Sequence, residues 1–569
     1  MMMLCKVAVF VLLASLPMQA QANAFLGRSP EDAHSEKASA DMQAALLGEL
    51  EGVLGSDHRT FTERRLSKIQ DIVSTIYQSM PKNEHGKLGH GAVSYILHRL
   101  FVQRHAWFIK GLEPGGNGEA AWNQTSPLTL FVDKVPEFVQ STFEKRFGEN
   151  GVGLHEIAVI AATLEHLVHK EALDRLKLAY QVHEYTPEDV VSSAEAPDVL
   201  DTYMIAYVLG YLLPVNYTAQ NVQFVRGRVE EVYPTWKDTQ QFIREVLESV
   251  APERDYFYFS DVSTVIEEAG ERYGRWQDLE CRTLKETLLE KEDTGPGGAG
   301  RVRVADFYKL ALHEGKWQFT ESVPYLRQLG ALDETDPSNP RIIVTNYIYS
   351  PSNCVASSSY YSVCCIDECE TLLSHLEHEL AKPEAHPSEI AAIVSSLSSP
   401  TQQNRTTLSP WLLQQLDNVA AHHGGLVPLH GRLFSQWMHF AYPRECPYPH
   451  VSGTTDPQRF HAKAEDELEF YSVSKEEMQR HLDSVPARRP EIQNASVHEE
   501  LMMLSMEEEL VVWRPPAEPR AASSLSTSSL LRGSAFVAAV VATTVGLMKS
   551  FSAGSVSLVG GSTPEKYFV

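Results

Sequence analysis

The chain has 569 residues, with 74 acidic against 49 basic side chains and a formal net charge of −25. Apolar residues make up 43% and charged residues 22%, a globular composition with room for several domains or one large helical body. The acidic balance, with no long basic stripe, argues against a nucleic-acid partner, because phosphate binding needs clustered Lys and Arg.

Residues 1–24 read as a secretory signal peptide. Lys6 gives a short positive region, Val7 to Leu16 is apolar, and Ala20-Gln21-Ala22 and Ala22-Asn23-Ala24 are small-x-small cleavage patterns. The run is too short to cross a bilayer. An uncleaved anchor or a buried helix is the alternative. A mobile, polar lead is expected over 25–59.

The fold class expected is mainly α, with a helical domain over 60–300 and a Cys/His-rich helical region over 301–513. Leu154, Ile157, Ala161, Leu164, Val168 and Leu176 recur at three- and four-residue steps, which puts them on one helix face over Leu154 to Leu178. Asp201 to Leu213, Asp238 to Val250 and Trp276 to Glu292 behave similarly. Ile366, Cys369, Leu373, Leu376 and Leu380 form a stripe, and Ser474 to Glu477 fits a capping box. Arg301 to Val304 and Arg341 to Tyr349 are the fair strand candidates. The stretches 93–103 and 427–436 share a His followed by Arg-Leu-Phe-x-Gln, a possible repeated helix or a coincidence.

Leu288 to Leu310 resembles an EF-hand: an acidic entering helix, a Gly-rich loop, a β-branched residue and an acid-Phe start to the exit helix. Setting Asp306 as the twelfth loop residue places Gly295, Gly297 and Ala299 at positions 1, 3 and 5. Three of the four side-chain oxygens are then missing. The expectation is a helix-loop-helix shape that has lost its ion. A plain acidic helix before a Gly-rich turn explains the same residues.

Removing Cys5 with the signal leaves Cys281, Cys354, Cys364, Cys365, Cys369 and Cys446, an even set that suggests up to three disulfides in an oxidising compartment. Adjacent Cys364 and Cys365 should take different partners, with Cys446 or Cys281 as long-range ones. Thiol ligation of a metal is the alternative. Four N-x-S/T triplets, at Asn123, Asn216, Asn404 and Asn494, become glycosylation sites if the chain is secreted.

Among the 22 histidines, His422, His423, His430, His439 and His450 fall in one Pro-containing segment and could converge on zinc, copper or iron. No HExxH, HxxEH or CxxC spacing supports that site. Packed or hydrogen-bonded core histidines are the plainer account. His166 with His169, and His375 with His378, lie three apart on helices without a third ligand. Catalytic residues are unknown, because no nucleophile elbow, P-loop, dinucleotide fingerprint or kinase motif occurs. No cofactor is expected, with a transition metal or calcium as the alternatives.

Residues 514–532 (Pro, Ser and Ala rich) read as a stalk, 533–549 as a single transmembrane helix and 550–569 as a short cytosolic tail. The charge-free core of that helix, Gly533 to Met548, covers about 24 Å, short of a ~30 Å hydrocarbon layer. A disordered or surface-lying tail is the alternative.

The stretches 153–173 (GLHEIAVIAATLEHLVHKEAL), 346–370 (NYIYSPSNCVASSSYYSVCCIDECE) and 427–450 (VPLHGRLFSQWMHFAYPRECPYPH) resemble a family of secretory proteins from dinoflagellate-type protists. That resemblance covers roughly residues 60 to 460. It implies a shared helical fold and transfers no catalytic residues. The function expected is a membrane-anchored helical glycoprotein of the secretory pathway or cell surface that binds, senses or scaffolds protein partners. The alternatives are a lumenal metal-dependent enzyme using the 422–450 histidines and an EF-hand-derived module without calcium.

Overall fold

The computed structural model describes residues 56–112, 151–209, 219–314, 319–356, 358–401, 407–457, 470–483 and 505–511, all within one body. The signal peptide, stalk, transmembrane helix, tail and all four sequon asparagines lie outside the described residues. Among the described residues no helix is long and apolar enough to cross a membrane.

The apolar periodicity around residue 160 produces helix α3 (Leu154–Val182), preceded by α1 (Ser56–Ser79) and α2 (His90–His105). Helix α1 opens at Ser56, three residues before the expected end of the polar lead at 59. After α3 come α4 (Ala196–Val208), α5 (Ala219–Arg226), α6 (Val229–Val232), α7 (Trp236–Val250) and the long α8 (Phe259–Leu289). Then follow α9 (Val304–Glu314), α10 (Val323–Gln328), α11 (Val344–Ile348), α12 (Glu368–Leu380), α13 (Pro387–Ser396), α14 (Pro410–His422), α15 (Arg432–Ala441) and α16 (Lys475–Asp483). The molecule is mainly helical. Ser474 caps α16 as its sequence predicts, its hydroxyl accepting the Glu477 amide at 3.2 Å.

Short strands join the helices in a recurring way. A helix leads through a loop to a residue paired across an antiparallel strand or bridge, and a second helix follows; the approach to one such residue, Val152, lies outside the described residues. The pairings are Leu88 with Val152, Val191 with Phe257, Val302 with Ile342, and Ala385 with Val427. All of these residues are buried. They lie in β2 (Val191–Ser192), β3 (Tyr256–Phe257), β4 (Arg301–Arg303), β6 (Arg341–Ile343), β9 (Glu384–Ala385) and β10 (Val427–Pro428), while Leu88 and Val152 make a lone bridge. In six of the eight cases the exit helix opens two residues further on, at His90, Leu154, Phe259, Val304, Val344 and Pro387. A short pairing therefore anchors two helix N-termini at once.

Arg341 to Tyr349 corrects one expectation. Only its first three residues are strand, and the rest is α11. The partner strand β4 begins at Arg301, opposite Ile343, and the Gly-rich turn precedes it, so the ladder stops at Ile343. The chain turns helical there and buries Tyr347. A further strand, β5 (Leu332–Asp333), completes this three-stranded sheet.

The described residues fill three apolar cores. The first collects α1 to α4, α7 and the front of α8. The second lies under α12 to α15. The third joins the rear of α8 to α9, α10 and α11, with Val473 and Met478 from α16 and its lead-in. A second three-stranded sheet, β1 (Trp107–Ile109), β8 (Tyr361–Val363) and β7 (Val355–Ala356), places Tyr361 and Val363 in the first core.

Three disulfides link these parts: Cys281–Cys365, Cys354–Cys364 and Cys369–Cys446. Adjacent Cys364 and Cys365 do take different partners, and both long-range cysteines are used. Cys354–Cys364 closes the β7–β8 hairpin.

Candidate functional site

The His-rich segment 422–450 makes many hydrogen bonds, but its histidines do not share a point. The His423 imidazole meets Glu508 at 2.6 Å, and the His430 Nε2–H donates to Glu377 at 2.7 Å. The His439 Nδ1–H donates to the Cys446 carbonyl at 2.7 Å, leaving Nε2 to accept from Arg301 at 3.3 Å. The His450 Nε2–H donates to the Gly330 carbonyl at 2.7 Å. His422 packs edge-on to His423, their rings 5.0 Å apart. Among the described residues no three His, Cys, Asp or Glu side chains stand close enough together to hold a metal ion. Instead, His423, His430, His439 and His450 each join separate parts of the chain. Burial, with the Arg301 guanidinium alongside, lowers His439 to about 3, so its ring is neutral over the physiological range.

His430 belongs to a buried polar hub that the sequence does not announce. Arg99, on α2, is 2% exposed, and Glu377, on α12, is 1% exposed. Arg99 donates to Glu377 at 2.5 Å, pairs with Glu370, and reaches the Ser374 hydroxyl at 2.9 Å. Burial pushes the Glu377 carboxyl up, but Arg99 and His430 outweigh it and hold it below the usual range. The hub ties the first core to the second.

The two Arg-Leu-Phe-x-Gln stretches do the same mechanical work. In each, Leu and Phe (Leu100 and Phe101, Leu433 and Phe434) enter a core. The Arg and Gln, four residues apart on one helix face, grip a neighbouring chain. Arg99 and Gln103 both reach Ser374 Oγ and the Glu370 carbonyl. Arg432 donates to the Ser505 carbonyl at 2.9 Å and the Glu507 carbonyl at 2.7 Å. Gln436, with its amide turned to satisfy both neighbours, exchanges hydrogen bonds with the Ser505 backbone at 3.1 and 3.3 Å. The shared spacing is visible in the sequence, whereas its partners lie too far along the chain to be read there.

A second charged cluster binds α1, α2, α3 and α8. Arg65 donates to Glu165 at 2.8 Å, Glu271 at 3.0 Å and Glu267 at 3.1 Å. His105 stands between Glu165 and Glu271, at 3.6 and 3.4 Å, and stacks on Trp107 with ring centroids 4.2 Å apart. Burial raises the Glu165 carboxyl, but the surrounding cations more than reverse that and set it at about 2. A carboxylate–imidazole–carboxylate row could move protons, yet His105 and Glu165 are both buried. The arrangement closes the row to a substrate and makes it a lock between helices. His166 is buried one residue further along α3, whereas His375 and His378 lie exposed on α12.

Around the short strands the loops are closed by their own side chains. The Asn83 side chain accepts two loop amides, those of His85 and Lys87, at 3.0 and 2.9 Å. Asp189 accepts the Thr186 amide at 2.7 Å. Glu292 accepts the Gly300 amide at 2.6 Å and takes both arms of Arg444 at 2.8 Å. Asp333 receives Arg301 at 2.7 Å, Arg341 at 2.9 Å and the Thr335 amide at 3.0 Å. Asp306, the expected twelfth loop residue, pairs with Arg303. Four residues beyond the pairing position stands an acid in five cases: Glu156, Glu195, Asp261, Asp306 and Glu389. Glu195, Asp261 and Glu389 fold back to accept the amide just after the pairing residue, at 3.2, 3.0 and 3.0 Å. Two of these acids carry a basic partner from seven residues earlier: Arg254 on Asp261 at 2.6 Å and Lys382 on Glu389 at 2.8 Å. Against known proteins, the chain matches no family model, no curated protein and no solved structure.

Proposed function

We propose that this protein is a binding and scaffold module built from EF-hand-type helix-loop-helix pairs, with protein cations standing where calcium would. The single observation that carries the reading is the pairing of Arg254 with Asp261 and of Lys382 with Glu389. In a twelve-residue EF-hand loop these are positions 5 and 12, two oxygen ligands of one ion. Replacing the position-5 oxygen by an ammonium or guanidinium lets the loop close on its own charge. The Lys382 hydrogen bond holds the Glu389 carboxyl below its ordinary range, as a cation at that place should. The antiparallel pairing of position-8 residues and the acid four residues on support the same assignment. Such pairs work by presenting helices and grooves to other chains.

The chain is carried, in this reading, through the secretory pathway and held in a membrane by 533–549, with its body lumenal or extracellular. The three disulfides support an oxidising compartment. Calorimetry on the whole glycosylated chain tests the ion-free loops. No heat is expected up to millimolar calcium, whereas Lys382→Ala and Arg254→Ala lower the melting temperature with no rescue by calcium. Stoichiometric heat at micromolar calcium would sink the reading. Endoglycosidase treatment should shorten the apparent mass, and alkaline carbonate should leave the chain in the membrane fraction; release into the supernatant would remove the anchor.

A further inference from the structure

Residues 505–511 (Ser-Met-Glu-Glu-Glu-Leu-Val) lie along the start of α15 as an extended strap. The contacts follow the pattern of a bound linear peptide. The Arg432 amide donates to the Glu509 carbonyl at 2.9 Å, and the Val511 amide to the His430 carbonyl at 3.1 Å. Gly431 and Leu510 thus form an antiparallel bridge, so the strap adds a strand to the body. A Cβ on Gly431 would stand 2.9 Å from Leu510 Cδ2 and 3.0 Å from Glu508 Oε1, which explains a bare backbone there.

Glu508 and Glu509 of the strap each have their own receptor. Glu508 accepts the Leu433 amide in the first turn of α15 at 3.1 Å and meets His423 at 2.6 Å. A carboxylate at a helix N-terminus is favoured by the free amides and the helix dipole. Glu509 takes the Ser452 amide at 3.0 Å and the Ser452 hydroxyl at 2.9 Å. Arg432, itself buried, holds the Ser505 and Glu507 carbonyls and the Ser505 hydroxyl, the last at 3.1 Å. Toward the two glutamates and the Ser505 and Glu507 carbonyls the receiving surface offers only donors.

From this we infer that the groove formed by His423, Gly431, Arg432, Leu433 and Ser452 is a recognition site for extended acidic peptides of the pattern Ser-x-x-Glu-Glu-aliphatic. The chain's own 505–511 is its resident ligand, exchangeable for the same pattern on a partner. This deepens the binding-module reading and can fail without it. A chain that ignores calcium but shows no peptide exchange keeps that reading and loses this site.

Because the strap is tethered, its effective concentration is of the order of millimolar, and an added peptide must compete with it. The test uses the whole chain and a fluorescein-labelled peptide with the sequence of residues 503–513. Fluorescence anisotropy should show at least tenfold tighter binding to the Glu508→Ala/Glu509→Ala chain than to the unaltered one. Adding Ser452→Ala or His423→Gln to that chain should weaken binding again, and a peptide with glutamine at the positions of Glu508 and Glu509 should not bind. Equal binding to both chains, or indifference to the groove substitutions, overturns the proposal. Hydrogen exchange on the unaltered chain gives a reading that depends on no variant folding. Millimolar free peptide should speed exchange of the Val511 amide while leaving the Arg432 amide protected. A strap that is only structural would leave both rates unchanged.

Discussion

His439 has one tautomer that satisfies its surroundings. Its Nδ1–H is committed to the Cys446 carbonyl, and its Nε2 lone pair faces a guanidinium hydrogen of Arg301. A second proton on Nε2 would point at that positive charge inside a buried site. The folded ring therefore binds its proton only near pH 3, whereas in an unfolded chain it does so near 6.5. A depressed folded value means that the stabilisation is complete above 6.5 and is lost as pH falls toward 3. The slope from one such group is about 1.4 kcal/mol per pH unit below 6.5. His98, lowered to about 4 by burial and the nearby Arg99, adds a second contribution of the same sign. Urea midpoints at pH 7, 6 and 5 should fall steeply for the unaltered chain and less steeply for His439→Gln. Parallel lines for the two would show that His439 titrates normally.

Helix α8 crosses α2 at Gly274, where the approach is closer than any side chain permits. A Cβ built there would stand 1.9 Å from the His105 carbonyl oxygen and 2.9 Å from the Ala106 Cβ. The obstacle is backbone, so it cannot swing aside. Gly274→Ala should cost about 3 kcal/mol, at the upper end for overpacking. It should also disturb Trp107, which stacks between His105 and Tyr361. Guanidinium unfolding followed by tryptophan fluorescence checks both effects, and an unchanged midpoint would contradict so close a crossing. Elements differ in how far the sequence foretells them. Helix α3 is legible because a long amphipathic face repeats its signal many times. The paired strands are not, since two or three residues cannot display a period of two. Arg341 to Ile343 looks like the start of a longer strand only because β-branched residues also suit a buried helix start. The Asp306 loop shows its shortage of ligands in the sequence itself. The ion pairs of Arg254 with Asp261 and of Lys382 with Glu389 do not show there, because nothing local marks a basic residue as the partner of an acid seven positions on. The convergence of His430, Arg99 and Glu377 is illegible for another reason: long-range partners carry no local pattern.

The disulfides tie distant elements together covalently within single cores. Cys281–Cys365 ties α8 to the approach to α12, across a separation of 84 residues. Cys369–Cys446 joins α12 to the chain just after α15 across 77, and Cys354–Cys364 spans only 10. In the chain-entropy model a bridge acts mainly on the unfolded ensemble and more strongly for longer loops. The two long bridges should each contribute about 4.5 kcal/mol and the hairpin bridge about 3 kcal/mol. Location sharpens the contrast. The hairpin also keeps its strand pairing with β1, while Cys281–Cys365 lies inside the third core and Cys369–Cys446 inside the second. Opening Cys369–Cys446 leaves the Arg99–Glu377–His430 hub as a main restraint on α12, and that hub is a buried ion pair whose attraction largely offsets its own desolvation. Cys369→Ser/Cys446→Ser and Cys281→Ser/Cys365→Ser should therefore lower the melting temperature clearly more than Cys354→Ser/Cys364→Ser. Calorimetric scans of the three double variants, with free thiols counted by alkylation, measure this ordering. A hairpin variant that melts earliest would mean that the cores cohere by packing alone, with the long bridges redundant.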